Sequence, residues 1–363
     1  MEEYDYTFTY TPGKENIIAD IISRYPLQHS QVHSIIDVIL SMEEEINFPV
    51  TFSNIEKHQH NEIKNGINYD LYTLLKKDNC NIYVDKNNKI VLPESLLPET
   101  LQWYHVCLGH PGINRTYNSI AMHFYCKHLL QKVNDFVKKC TGCIQGKRNV
   151  PKYGKLPPAL NTIYQPWETI QVDLFGPWKF VDANNKERKI HAISIIDPAT
   201  RWIELHMLKQ RHGKTALNVA LILENEWFCR YPCPTYCIFD NGTEFGFEFL
   251  DLLLSYGITP KPTSIKNPQA NAIVERVHQT IADSIRTQGL ENKQVSHEQL
   301  HYILQSTAFG LRSTYHSALQ ASPCQVTFGH DMLINIGYVT NWKYINEKRK
   351  LNIIKNNIRE NKA

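Results

Sequence analysis

TIQVDLF (residues 169–175), followed by KIHAISII (189–196) and RWIELHML (201–208), decides the fold of this 363-residue chain. Each run is rich in β-branched and apolar residues and is bounded by turn chemistry, so three adjacent strands are expected. Downstream the pattern changes. TALNVALILENEWFCRY (215–231) reads as a helix and TYCIFD (235–240) as a strand. FEFLDLLLSYG (247–257) is a helix that stops at Gly257, and ITPKPTS (258–264) is a short extended segment. Strands that first lie side by side and then alternate with helices specify an α/β sheet covered on both faces.

NPQANAIVERVHQTI (267–281) opens the next helix. Asn267 suits the N-cap and Pro268 the first helical position, where no N–H is needed. Val274, Val277, Ile281 and Ile285 then repeat at the helical period and form one buried stripe. Glu275 stands beside that stripe, with His278, Gln279, Ala282 and Arg286 continuing its side. Read alone, it is a solvated carboxylate. SHEQLHYILQSTAFGLR (296–312) adds a further helix.

Two more acids stand where strands end: Asp173 before Gly176-Pro177, and Asp240 in FDNGTEF (239–245). Acids are depleted in strands, and turn chemistry alone can account for either residue. A calcium loop does not, because DNGTEFGFE (240–248) lacks the required order of acids before its glycine. If neighbouring strands carry both aspartates and the helix of Glu275 packs against them, three carboxylates converge. Such a cluster demands divalent cations. A pair of Mg²⁺ ions can activate an attacking oxygen and stabilise the leaving oxygen of a phosphodiester displacement, with no nucleophilic side chain.

A second constellation lies upstream. His105 and His110 in HVCLGH, then Cys140 and Cys143 in CTGC, give H-x4-H, 29 intervening residues and C-x2-C. That donor set suits tetrahedral Zn²⁺. A redox CxxC would sit in a thioredoxin-like strand context, which is missing here. His123, His128, Cys107 and Cys126 read as packing or surface residues. Cys229, Cys233 and Cys237 read as buried thiols rather than as another zinc site. HGKT (212–215) is no phosphate loop, because Leu208 occupies the place of the first glycine.

The 39 Lys and Arg against 36 Asp and Glu leave a net charge of only +3, but the charges are segregated. Residues 1–50 are acidic; residues 127–155 and the tail from Lys343 are basic, a distribution suited to a polyanion such as DNA. The amino terminus has no signal-peptide pattern, and no run approaches the roughly 18 apolar residues of a membrane span. An intracellular protein with thiols rather than disulfides is therefore expected.

QVDLFGP, IIDPATRW, FDNGTEF and NPQANAIVERVHQTI together resemble the catalytic core of retroviral and gypsy-type LTR retrotransposon integrases, the D,D-35-E group. The resemblance implies a ribonuclease H-like α/β core preceded by a small zinc-bound helical H-H-C-C domain. It also implies Asp173, Asp240 and Glu275 as ligands of Mg²⁺ (or Mn²⁺), and His105, His110, Cys140 and Cys143 as ligands of Zn²⁺. The last spacing holds 34 intervening residues rather than 35, and Ala272 stands nearest the usual glycine. Asp197 matches a family position that often carries an acid without binding the metals. YTPGKENIIADIISRYP (10–26) resembles the end of a ribonuclease H domain, with Asp20 as its final metal-binding acid and its other acids missing.

The implied map is a ribonuclease H remnant at 1–25, a connector at 26–60 and a small extension module at 61–100 with a hairpin in NIYVDKNNKIVL (81–92). The H-H-C-C domain follows at 101–147, then a linker at 148–165, the core at 166–330 and a basic tail at 331–363. The implied activity is 3′-end processing and strand transfer on double-stranded DNA by a nuclear homo-oligomer with a cytoplasmic virus-like particle stage. Lys261, Lys266, Arg276 and His278 are candidate DNA contacts. The alternative is a domesticated, non-catalytic DNA-binding or assembly protein.

Overall fold

The computed structural model describes residues 47–77, 79–147, 163–181, 186–208, 213–263, 272–287 and 297–361. The chain divides into two compact units, Met1–Glu43 and Glu44–Ala363. The ribonuclease H-like remnant with Asp20, most of the 148–165 linker and Lys266 lie outside the described residues.

Helix α1 (Phe52–Lys64) begins at Thr51, whose hydroxyl accepts the Asn54 N–H at 3.2 Å. It packs against a four-stranded sheet ordered β1 (Thr73–Lys77), β2 (Cys80–Val84), β3 (Ile90–Val91) and β4 (Phe124–Tyr125). The expected Asn-rich turn joins β2 to β3, and Asp85 Oδ1 holds it by accepting the Asn87 and Lys89 N–H groups, each at 2.8 Å.

The H-H-C-C domain at 101–147 was expected to be helical; strand β4 interrupts it. Ile90 donates to the His123 carbonyl at 2.9 Å and Leu92 to that of Tyr125 at 2.8 Å, so this short strand completes the sheet of the preceding module. Around it stand α2 (Leu97–Gln102), a π turn (Trp103–Cys107), α3 (Ile113–Ala121), α4 (Leu129–Lys139) and α5 (Thr141–Gly146). Val50, Ile55, Ile82 and Val84 share one core with Leu96, Tyr104, Ile120, Phe124 and Val133, so segments 61–100 and 101–147 have a common interior.

The second sheet is built from β5 (Thr169–Val181), β6 (Glu187–Ile196), β7 (Ile203–Met207), β8 (Tyr236–Phe239) and β9 (Thr259–Pro262). Its order is β7-β6-β5-β8-β9; β6 runs antiparallel to both of its neighbours, β7 and β5, while β8 and β9 run parallel to β5. β9 is an edge strand, which is where Pro260 and Pro262 are tolerated. Helices α6 (Ala216–Leu223) and α7 (Phe247–Ser255) cover one face, α8 (Ala272–Thr287) and α9 (His297–Ser313) the other.

Side-chain alternation sorts the strands between these layers. Ile170, Val172, Ile193, Ile195, Cys237 and Phe239 join Val219, Trp227 and Phe249 on the α6/α7 side. Phe175, Ala192 and Ile196 join Ile281, Ile285 and Leu304 on the α8/α9 side. This is the mixed, ribonuclease H-like arrangement behind a zinc-type domain that the motifs implied.

After α9 the chain returns to the first layer. Helix α10 (Pro323–Phe328) is closed by a Ser322/Gln325 capping box and ends at Gly329 with φ 68°. Ile334 then packs into the core of the N-terminal sheet, tethered by Asp331. Asp331 Oδ1 accepts the Leu333 and Ile334 N–H groups at 2.8 and 3.1 Å, and Oδ2 meets His123 Nε2 at 3.0 Å. The basic tail includes helix α11 (Trp342–Asn361).

One expectation fails. Cys237 is buried, but Cys229 and Cys233 are exposed, because Pro232 and Pro234 hold them in the turn ahead of β8 rather than in the sheet. Among the described residues no helix is long and apolar enough to cross a membrane.

Candidate active site and metal centre

The parallel register of β5 and β8 sets Thr169 opposite Tyr236, Ile170 opposite Cys237 and Gln171 opposite Ile238. Continued by two residues, it brings Asp173 level with Asp240. Residues at one register position of a parallel pair share a face and stand about 4.8 Å apart. Val172, the immediate neighbour of Asp173, belongs to the α6/α7 core and Phe175 to the opposite one, so Asp173 belongs to the side under α8; Asp240 stands just past the end of β8.

Asp173 is partly buried. Its Oδ1 accepts the Leu174 N–H at 2.8 Å, and its Oδ2 lies 3.8 Å from His278 Nδ1 on α8. His278 Nε2 meets Ser194 Oγ at 2.8 Å, and its ring stacks on Phe175 with centroids 4.6 Å apart. Burial pushes His278 down to about 4, so it is neutral at pH 7. His278, a candidate DNA contact, is turned onto the sheet, where it bonds Ser194 and lies beside Asp173. Glu275 stands one turn earlier on that helix. Its side chain, those of Val274 and Arg276, and the Asn267-Pro268 cap lie outside the described residues.

Asp240 Oδ1 accepts the Gly242 N–H at 3.0 Å, which closes the Asp-Asn-Gly turn. Sequence reading missed what lies beneath that turn. Glu244 is buried, and Lys214 of the HGKT segment pairs with it at 2.8 Å. Its carboxyl carbon lies 2.6 Å from where a Cβ on Gly242 would stand, so any larger residue there would displace it. No local signal connects two residues 30 positions apart.

Asp197, set aside in the sequence, is fully buried and structural. It accepts N–H groups from Ala199 at 2.7 Å and Trp167 at 3.1 Å, and the Thr200 hydroxyl at 2.8 Å. Burial raises its pKa against the pull of these bonds. Lys261 lies on exposed β9 with its Nζ 3.2 Å from the Tyr236 ring centroid.

The zinc-type residues converge. The donor atoms of His105, His110, Cys140 and Cys143 all lie within 4.8 Å of one another. His105 Nε2 and His110 Nδ1 are 3.3 Å apart; Cys143 Sγ lies 3.2 Å from His105 Nε2, and Cys140 Sγ 3.4 Å from His110 Nδ1. Zinc–nitrogen bonds of about 2.0–2.1 Å and zinc–sulfur bonds of about 2.3 Å imply tetrahedral edges of roughly 3.3 Å for N–N and 3.6 Å for N–S. These three edges, and the 3.7 Å from Cys143 Sγ to His110 Nδ1, lie within about 0.4 Å of those values.

Local backbone arranges this. Just past the π turn stand Gly109 (φ 77°) and His110 (φ 56°), whose left-handed backbone turns the second imidazole back toward the first. Cys140 then caps α5, so both thiols come from one helix start. Burial first, then neighbouring His110 and Lys147, pushes His105 down to about 3; burial with Lys147 pushes His110 to about 4. Both imidazoles are thus neutral and ready to ligate. Burial pushes the Cys143 thiol up to about 11, despite Lys147 nearby, so a metal must displace its proton.

The centre is docked on the second domain. Arg286 of α8 donates from Nε to the Gly146 carbonyl at 3.0 Å and also pairs with Asp283. Tyr315 donates its N–H to Ser119 Oγ at 2.9 Å.

Residues 92–149 match the integrase zinc binding domain family. The chain is 22% identical over 344 residues to the Transposon Tf2-3 polyprotein of Schizosaccharomyces pombe, covering 90% of this chain and 24% of that protein. It is 25% identical over 248 residues to an uncharacterized protein of Caenorhabditis elegans, covering 67% of this chain and 18% of that one. The chain therefore spans about a quarter or less of the length of these relatives. Among solved structures, the catalytic core domain of BIV integrase is similar at 19% identity and TM-score 0.33, covering 44% of this chain and 93% of that one. A chain of the simian T-cell lymphotropic virus intasome in complex with PP2A regulatory subunit B56 gamma is similar at 11% identity and TM-score 0.43, covering 67% and 77% respectively.

Proposed function

We propose that this chain, which its zinc-binding domain and transposon relatives support as an LTR retrotransposon integrase, is a polynucleotidyl transferase acting on double-stranded DNA. Asp173, Asp240 and Glu275 form its acid site, which takes Mg²⁺ or Mn²⁺. When bound, the ions activate the attacking oxygen and neutralise charge on the leaving oxygen. Water attacks in 3′-end processing; the freed 3′-hydroxyl of element DNA attacks target DNA in strand transfer. One phosphodiester is exchanged for another in the second step, so no nucleotide fuel is needed.

The protein's part is to place oxygen donors. The Leu174 N–H steadies Asp173, beside which His278 is held by Ser194, and the Gly242 N–H steadies Asp240. The observation that carries this reading is the parallel pairing of β5 with β8, in register up to Gln171 opposite Ile238, which carried on by two residues would set Asp173 level with Asp240 beside the helix of Glu275. We further assign zinc to the H-H-C-C centre as a structural ion, a homo-oligomeric state, and a nuclear site of action after a cytoplasmic particle stage.

The test is a joining assay with labelled oligonucleotide ends, target plasmid and Mn²⁺ or Mg²⁺. Wild type should join ends and Asp240→Asn should not. If folded, zinc-loaded wild type never joins them, or Asp240→Asn joins them equally well, the enzymatic reading fails and a non-catalytic DNA-binding role takes its place.

A further inference from the structure

Between the zinc-bearing helices and helices α8 and α9 lies a cleft of about 1110 Å³, lined among others by Gly112, Arg115, Gln131, Lys147, Asp283 and Thr307. Its charges are unbalanced. Asp283 is engaged by Arg286, and Lys147 donates to the His110 carbonyl at 2.5 Å. Arg115 is partly buried, and among the described residues its guanidinium has no hydrogen-bond or ion-pair partner.

A cation withdrawn from water without a counter-charge is destabilising, and the cost is recovered when an anion arrives. We propose that this cleft is a DNA-backbone site in which Arg115 takes a phosphate. The guanidinium fork matches two phosphate oxygens, which an ammonium does not. Lys147 adds positive charge, and Asn114, Gln131 and Asn134 add amide donors along the walls.

The cleft has room for a stretch of DNA backbone, at about 1110 Å³ against roughly 1,000 Å³ for the larger small-molecule pockets. Its position favours the same DNA as the acid site. Thr280 and Asp283, which line it, stand five and eight residues beyond Glu275 on α8, about 7.5 and 12 Å along the helix axis. A strand held here therefore runs beside the helix that carries the third acid. Burial also pulls the Arg115 pKa down, a strain that an anion would relieve.

This inference rests on the integrase reading but can be tested apart from it. Binding of a fluorescent duplex to the zinc-loaded full chain is measured by anisotropy over a KCl series without Mg²⁺, so that no chemistry intervenes. Arg115→Ala should weaken binding on the order of tenfold at fixed salt and lower the slope of log affinity against log salt by about 0.9. Arg115→Lys should keep the slope. Gln131→Glu, on the exposed rim, should weaken binding by adding a negative charge.

Zinc content and circular dichroism report whether each variant is folded. Folded Arg115→Ala with wild-type affinity and slope overturns the proposal. If Arg115→Ala does not fold, Gln131→Glu with wild-type affinity overturns it. A wild type that joins DNA ends while these slopes stay unmoved sinks this site alone; a lowered slope without any joining sinks the enzyme alone.

Discussion

Replacing Gly146 by alanine tests the docking of the zinc domain on the acid-bearing helix. A Cβ there would stand 2.5 Å from Thr287 N and 2.6 Å from Thr287 Cα. Both are backbone atoms, so no side chain can swing aside, and α5 must retreat from α8 by about 1 Å. Overpacking of this kind costs about 1–3 kcal/mol. The retreat also lengthens the Arg286 Nε to Gly146 carbonyl bond, now 3.0 Å, which as a charged hydrogen bond is worth about 1.5–3 kcal/mol.

Helix propensity acts the other way, favouring alanine over glycine by up to about 1 kcal/mol. The net expectation is a loss of about 2–3 kcal/mol, a fall in Tm of roughly 4–12 °C. Differential scanning calorimetry reads the Tm, hydrogen exchange reads the amides of α8, and zinc stoichiometry should stay at one per chain. A variant as stable as wild type, with α8 equally protected, would refute the close approach and leave the two domains energetically independent.

Zinc uptake by the metal-free protein at pH 7 should release at least one proton, from Cys143, and none from the already neutral imidazoles; a pH-indicator titration that detects no proton release contradicts this. Asp331 is pushed up by burial but held below its ordinary range by His123 and two backbone N–H groups. A depressed carboxyl stabilises the fold above its unfolded value of about 3.9 and loses that contribution as pH falls through the folded value. Asp331→Asn should therefore cost about 1–3 kcal/mol at pH 7, with the gap to wild type closing in acid; urea titrations at pH 7 and pH 3 that show equal gaps speak against it. A thiol reagent should modify Cys229 and Cys233 rapidly and Cys237 only on unfolding; peptide mapping that finds Cys237 labelled as fast rules out its burial.

What the sequence made legible follows the range of each interaction. Strands β5 to β8 and helices α6 and α7 announce themselves by local periodicity. The zinc ligands do so because a chelate needs its donors close along the chain, His105 with His110 and Cys140 with Cys143. Asp173 and Asp240 were visible as acids at strand ends, but that β5 pairs with β8 in parallel, with Gln171 opposite Ile238, was not legible. Strand β4 was missed because two residues carry too little pattern, and their pairing with β3 is decided by the burial of Phe124. The contacts of His278 with Ser194 and Phe175 were not legible, because the helical period gives a face of α8 without saying what the sheet puts under it. The contacts of Arg286 with Gly146 and of Asp331 with His123 span 140 and 208 positions, and nothing in either segment announces the other.

The shared interior of the N-terminal sheet sets a limit on modularity. The segment that matches the zinc-binding family opens at residue 92, just after β3. Cut there, it would expose Leu96, Tyr104 and Phe124, which the whole chain covers with Val50, Ile55, Ile82, Val84 and, from the far end, Ile334. The stretch that matches the family and the stretch that shares one interior are different lengths of polypeptide, and a fragment cut to the shorter one would have to hold its metal without half of that interior.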